Sequence, residues 1–210
     1  MDSEDLLGKW FAANPGKREH IFLATKFANK VDADRNHSVD TTPEYCRSAC
    51  EKSLKRLGLP YVDLYYVHRL DRVTPIEKTV EEMKKLKQEG KIKYLGLSEC
   101  SSESLRRACK VEHIDAVQIE YSPFSLDIES EQIGLMKTCR ELGVAIVAYS
   151  PIGSLLTYLS WGFERFEQIA DDVVQDVVCS VARSAAPPTS RKVIFANSHL
   201  GFPRRTSRRI

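Results

Sequence analysis

Five apolar runs in this chain each stop on a polar residue: Ile21–Lys26, Leu64–His68, Tyr94–Ser98, Ala116–Tyr121 and Ala145–Ser150. Runs of Val, Ile, Leu and Tyr without polar alternation belong to strands buried on both faces, and such strands occur in parallel sheets covered by helices. Their starts, at residues 21, 64, 94, 116 and 145, are separated mostly by the length of one strand plus one crossover helix. The pattern predicts an α/β chain of (β/α) barrel type. There, functional side chains stand at C-terminal strand ends, which makes Lys26, His68, Ser98, Gln118, Tyr121, Tyr149 and Ser150 neighbours around one mouth.

Helix boundaries agree with this reading. Thr42-Pro43 opens a helix carrying Ala49, Leu54 and Leu57, which Gly58 and Pro60 end. Thr74-Pro75-Ile76-Glu77 reads as a capping box, with Val80, Met83 and Leu86 on one face and Gly90 as the stop. Leu135, Met136, Cys139 and Leu142 precede Gly143 in the same way.

A chain of 210 residues that is 42% hydrophobic can bury one sizeable core. A net charge of +2, without a basic stripe, argues against nucleic acid or an anionic membrane as an obligatory partner. Lys84, Lys85, Lys87, Lys91 and Lys93 alternate with other residues and belong on a solvated outer face. No apolar run approaches the roughly 18 residues of a membrane span, and Met1 leads directly into Asp2-Ser3-Glu4-Asp5, so a cytoplasmic protein is expected. The six cysteines form no C-x-x-C pair and read as reduced, small hydrophobes, although Cys46 and Cys50 share a helix face. His20, His37, His113 and His199 read as solvent-facing.

At the strand ends the sequence is specific. Ile21-Phe22-Leu23-Ala24-Thr25-Lys26-Phe27, Tyr61-Val62-Asp63-Leu64-Tyr65-Tyr66-Val67-His68-Arg69, Gly90-Lys91-Ile92-Lys93-Tyr94-Leu95-Gly96-Leu97-Ser98-Glu99, Val117-Gln118-Ile119-Glu120-Tyr121-Ser122 and Ala148-Tyr149-Ser150-Pro151 resemble, in order, the strand-end motifs of the aldo-keto reductase family. The likeness covers residues 3–157. His68-Arg69-Leu70-Asp71 before Thr74-Pro75 looks most like the microbial and plant branch with pyridoxal reductases and potassium-channel β-subunit-like proteins.

The resemblance implies a (β/α)8 TIM barrel that binds NADP(H) and passes hydride between nicotinamide and an aldehyde, ketone or alcohol carbon. The family uses a tyrosine acid, a lysine that lowers its pKa, an aspartate paired to the lysine and a carbonyl-orienting histidine. Lys26 matches the lysine and His68 the histidine. Ser98 and Gln118 match residues that hold the nicotinamide carboxamide, and Tyr149 the aromatic that stacks on the ring. Ser150, Ile152 and Ser154 lie where the family's loop wraps the pyrophosphate.

The aspartate and tyrosine positions precede the segment that resembles Ser3-Glu4-Asp5-Leu6-Leu7-Gly8. The barrel is therefore expected to be incomplete, without its first two and last strands, and catalysis impaired. Tyr45, Tyr61 and Tyr65 fall on a helix, a loop and mid-strand and are no substitutes. Residues 1–157 are read as the partial barrel, 158–184 as a divergent helical segment and 185–210 as a linker and basic disordered tail. One alternative is a non-catalytic nucleotide-binding interaction protein resembling the channel subunits. Another makes Lys26 the Schiff-base nucleophile of an aldolase, a chemistry that gives Ser98, Gln118 and Tyr149 no role.

Overall fold

The computed structural model describes residues 3–31, 34, 36–150 and 192–196. Helix α1 (Ser3–Ala13) leads to β1 (Ile21–Phe27), followed by a short antiparallel pair, β2 (Asn29–Val31) and β3 (His37–Val39). Then come α2 (Pro43–Leu57), β4 (Val62–Val67), α3 (Ile76–Gln88), β5 (Ile92–Ser98), α4 (Ser102–Cys109), β6 (Ala116–Glu120), α5 (Leu135–Leu142), β7 (Ala145–Tyr149) and β8 (Lys192–Ala196). The main sheet has the order β7-β6-β5-β4-β1-β8, and its neighbours pair in parallel.

All five predicted strands form. The sixth, β8, is a correction, because five residues expected within the linker and tail pair instead with the edge of β1, from Ile21↔Lys192 to Thr25↔Ala196. The β2–β3 pair was not foreseen either. Residues 151–191, including the predicted helical segment, lie outside the described part, as do Ile152, Ser154 and His199.

Local chemistry explains the helices. Thr42 Oγ1 accepts the Tyr45 N–H at 3.3 Å, Pro43 occupies the first turn, and Gly58 closes α2 in the left-handed conformation. The capping box expected before α3 does not form. Asp71, a stronger acceptor than a hydroxyl, takes the Thr74 hydroxyl proton at 2.7 Å and the Val73 and Thr74 N–H groups at 2.9 and 2.8 Å. Pro75 becomes the N-cap, with no side-chain bond, and Glu77 pairs with Arg107 at 2.7 Å.

Strand parity separates two layers. Leu23, Tyr65, Val67, Leu95 and Leu97 face the helices and pack with Cys46, Leu57, Val80, Met83 and Leu86. Each buried aliphatic side chain contributes about 1.5–3 kcal/mol. Phe22, Ala24, Leu64, Tyr66, Ala116 and Val147 cluster on the opposite, concave face, with Val193 and Phe195 from β8 packed against them. Gly96 is required there, because a Cβ would lie 2.3 Å from Tyr66 Cδ1. The Tyr66 hydroxyl is buried in this layer without a hydrogen-bond partner among the described residues.

Lys26 Nζ on β1 lies 2.6 Å from Gln118 Oε1 on β6, although β4 and β5 run between those strands. Three strand intervals span about 14 Å in a flat sheet. The sheet is therefore curled into a half-barrel with helices outside. At its N-terminal floor, buried Asp63 accepts the Leu23 N–H at 2.9 Å and pairs with Arg18 at 2.7 Å and Lys93 at 3.2 Å. Both cations lie on the Tyr61 ring, at 4.2 and 3.9 Å from its centroid. Lys93 is thus half-committed to the barrel floor, while Lys84 and Lys87 share Glu112 on the outer surface.

Candidate active site

The C-terminal strand ends gather the predicted residues. Lys26 ends the concave face of β1, and its Cα partner in the ladder is Tyr66, two residues before His68. Ser98 ends β5 opposite Gln118 on β6, and both are buried. Tyr149 ends β7, and Ser150 follows it in the left-handed region at φ +51°. Tyr121 stands apart from this group, since its hydroxyl donates outward to Glu129 at 2.5 Å.

Each group has a distinct electrostatic setting. Burial first, and the Arg69 guanidinium second, pull the Lys26 ammonium down to about 8. The carbonyl oxygen of Gln118 accepts its proton at 2.6 Å. His68 Nδ1 lies 2.8 Å from Asn29 Nδ2. An amide N–H donating to Nδ1 places the neutral ring's proton on Nε2, which makes that nitrogen a donor.

Three further side chains at this rim carry no predicted role: Asn29, Arg69 and Glu99. Asn29 selects the His68 tautomer. Arg69 Nη1 lies 3.0 Å from Glu99 Oε2, and Glu99 Oε1 accepts the Tyr149 hydroxyl at 2.7 Å and the Glu120 N–H at 3.1 Å. Burial works against the Glu99 carboxylate, but these bonds outweigh it and hold the acid below its ordinary range. Burial and then the Glu99 bond push the Tyr149 phenol up to about 12. The signal for Glu99 was its place directly after a strand-ending Ser98, where barrel chemistry sits.

Backbone strain marks the same end. Ala28, Glu99 and Ser150 directly follow β1, β5 and β7, and have φ of +100°, +52° and +51°. Non-glycine residues there cost about 1–3 kcal/mol and concentrate at functional sites.

A curled parallel sheet with helices outside and polar residues on its C-terminal rim defines a β/α barrel site. The sequence profile of the aldo/keto reductase family matches residues 1–169. The chain belongs to that family. It is 55% identical over 157 residues to aldo-keto reductase str7 of Strobilurus tenacellus, covering 74% of this chain and 45% of that protein. It is 49% identical over 152 residues to the NADP(+) aldo-keto reductase yakc of Schizosaccharomyces pombe, covering 72% and 44%. The chain therefore spans less than half the length of these relatives.

Solved barrels share the fold. The glycerol dehydrogenase AKR11B4 of Gluconobacter oxydans superposes with a TM-score of 0.67 at 23% identity, covering 91% of this chain and 66% of that one. The thermostable aldo-keto reductase Tm1743 gives a TM-score of 0.61 at 25% identity, covering 95% and 68%. None of the described helices is long and apolar enough to cross a membrane.

Proposed function

We propose that this chain carries part of an NADP(H)-dependent reductase site acting on an aldehyde or ketone, or on the corresponding alcohol. The bond between Lys26 and Gln118 carries this reading, because it brings strand ends of opposite flanks of the sheet to one mouth. The donor set fits a nicotinamide: Ser98 and Gln118 offer a hydroxyl and an amide to a neutral carboxamide, and Tyr149 offers an aromatic face. When bound, that cofactor would supply or accept the hydride.

The residues of the chain bind and polarise. His68, with its proton on Nε2, donates to a carbonyl oxygen and draws electron density from the carbon. Lys26 sits in a partly dry site where its cation acts on developing negative charge more strongly than in water. Tyr149 is a poor proton donor, because its hydroxyl is tied to a carboxylate and raised to about 12. Tyr65, whose hydroxyl donates to the Cys46 carbonyl at 3.1 Å on the helix side, is equally unsuited. Lacking a positioned phenol, the described residues forgo a general-acid factor of about 100- to 10,000-fold.

Titrating the chain with NADPH and following its fluorescence tests the binding half. A saturable change is expected, and a flat response at high micromolar cofactor would overturn the reading. Adding a small aldehyde and following NADPH absorbance tests turnover, which should fall far below that of a full-length family member. Saturable binding with no oxidation at all would favour a nucleotide-binding interaction protein.

A further inference from the structure

The strongest unassigned feature is the junction built around Glu99. Its side chain meets Arg69 after β4, the Glu120 N–H on β6 and the Tyr149 hydroxyl on β7, while its own N–H donates to the Gln118 carbonyl at 3.0 Å. We propose that Glu99 is a positioning residue, which fixes the Tyr149 ring and the Arg69 guanidinium around the mouth by joining the ends of four adjacent strands.

The chemistry of the junction demands a glutamate. One carboxylate oxygen takes two protons, from Glu120 and Tyr149, and the other faces Arg69, so both oxygens must be acceptors. Glutamine would turn an N–H toward the guanidinium, donor against donor. Aspartate would fall one methylene short. The left-handed backbone at φ +52° aims the side chain back across the rim, and a non-glycine residue persists there only when its surroundings over-determine it. The phenol tether and the left-handed Ser150 together leave the Tyr149 ring little freedom. A preordered ring loses less entropy when a flat ligand stacks on it.

Only the cofactor readout rests on the function proposed above. The charged groups acting on Tyr149 are Glu99 and Arg69. The ionisation of Tyr149 is obtained as the phenolate absorbance difference between the chain and Tyr149→Phe. Glu99→Gln should lower that ionisation by about one pH unit, and Arg69→Gln should raise it. An unmoved Tyr149 in both variants overturns the proposal, and Arg69→Gln decides the matter if Glu99→Gln does not fold.

For NADPH, Glu99→Gln and Tyr149→Phe should each weaken binding by about fivefold, with the double variant no weaker than either alone. Additive losses would show that Glu99 does not act through Tyr149. If the unmodified chain binds no NADPH, the reductase reading falls while the Tyr149 titration still decides the positioning role.

Discussion

The two ends of the half-barrel solve the same backbone problem differently. At the floor, the turns from α2, α3 and α5 into the next strands use Gly58, Gly90 and Gly143 at φ of +64°, +73° and +67°. Glycine adopts that region freely. At the rim, Ala28, Glu99 and Ser150 hold left-handed conformations that side chains resist. Charge follows the same division. The floor pairs buried Asp63 with two cations, whereas the rim leaves Lys26 half-dry beside Arg69 with its ammonium pulled down to about 8. One end is relaxed; the other keeps strain around the candidate site.

The comparison can be broken most decisively at the floor. Asp63→Ala should strand Arg18 and Lys93 and cost about 3–5 kcal/mol in urea unfolding. A loss below about 1 kcal/mol would remove the floor's claim to be the stabilising end. Between the ends, Gly96→Ala forces a Cβ into the Tyr66 ring and should cost about 1–3 kcal/mol. Tyr66→Phe removes a buried hydroxyl that has no partner among the described residues and should leave the melting temperature unchanged or raise it.

Smaller effects test the backbone contrast directly. Gly58→Ala should destabilise by about 1 kcal/mol, and Ala28→Gly should stabilise by up to about 1 kcal/mol. Equal signs for the two would erase the distinction. The charge contrast is tested by the pH dependence of Lys26. Its folded pKa of about 8 lies below the ordinary lysine value of 10.5, so the unfolded chain binds more protons between those values. Stability contributed by this residue should therefore rise with pH across that window. Subtracting the profile of Lys26→Met isolates it, and a flat difference would mean that Lys26 is not desolvated.

Much of the barrel was legible because doubly buried strands leave uninterrupted apolar runs, and the polar residues that end those runs then fell around one mouth, Tyr121 excepted. What escaped was decided by tertiary context. Val193-Ile194-Phe195 is too short to announce a strand between Pro187-Pro188 and the terminal arginines, and among the described residues β1 is its partner. Glu99 stands in a strand-end motif without a role of its own until backbone conformation turns it across the rim. The box at Thr74 failed because Asp71, three residues earlier, offered a better acceptor.

The pairing of β8 with β1 also sets a timetable. Thr25 Oγ1 donates to the Ala196 carbonyl at 3.3 Å across 171 positions of sequence, so β1 and β8 join only when two segments far apart in the chain meet. Contacts of such long range are slow to close, and an unsheltered β-edge invites pairing with a neighbouring chain in the interval. Pulse-labelled refolding should show β1 amides on that side gaining protection together with β8, not with β4.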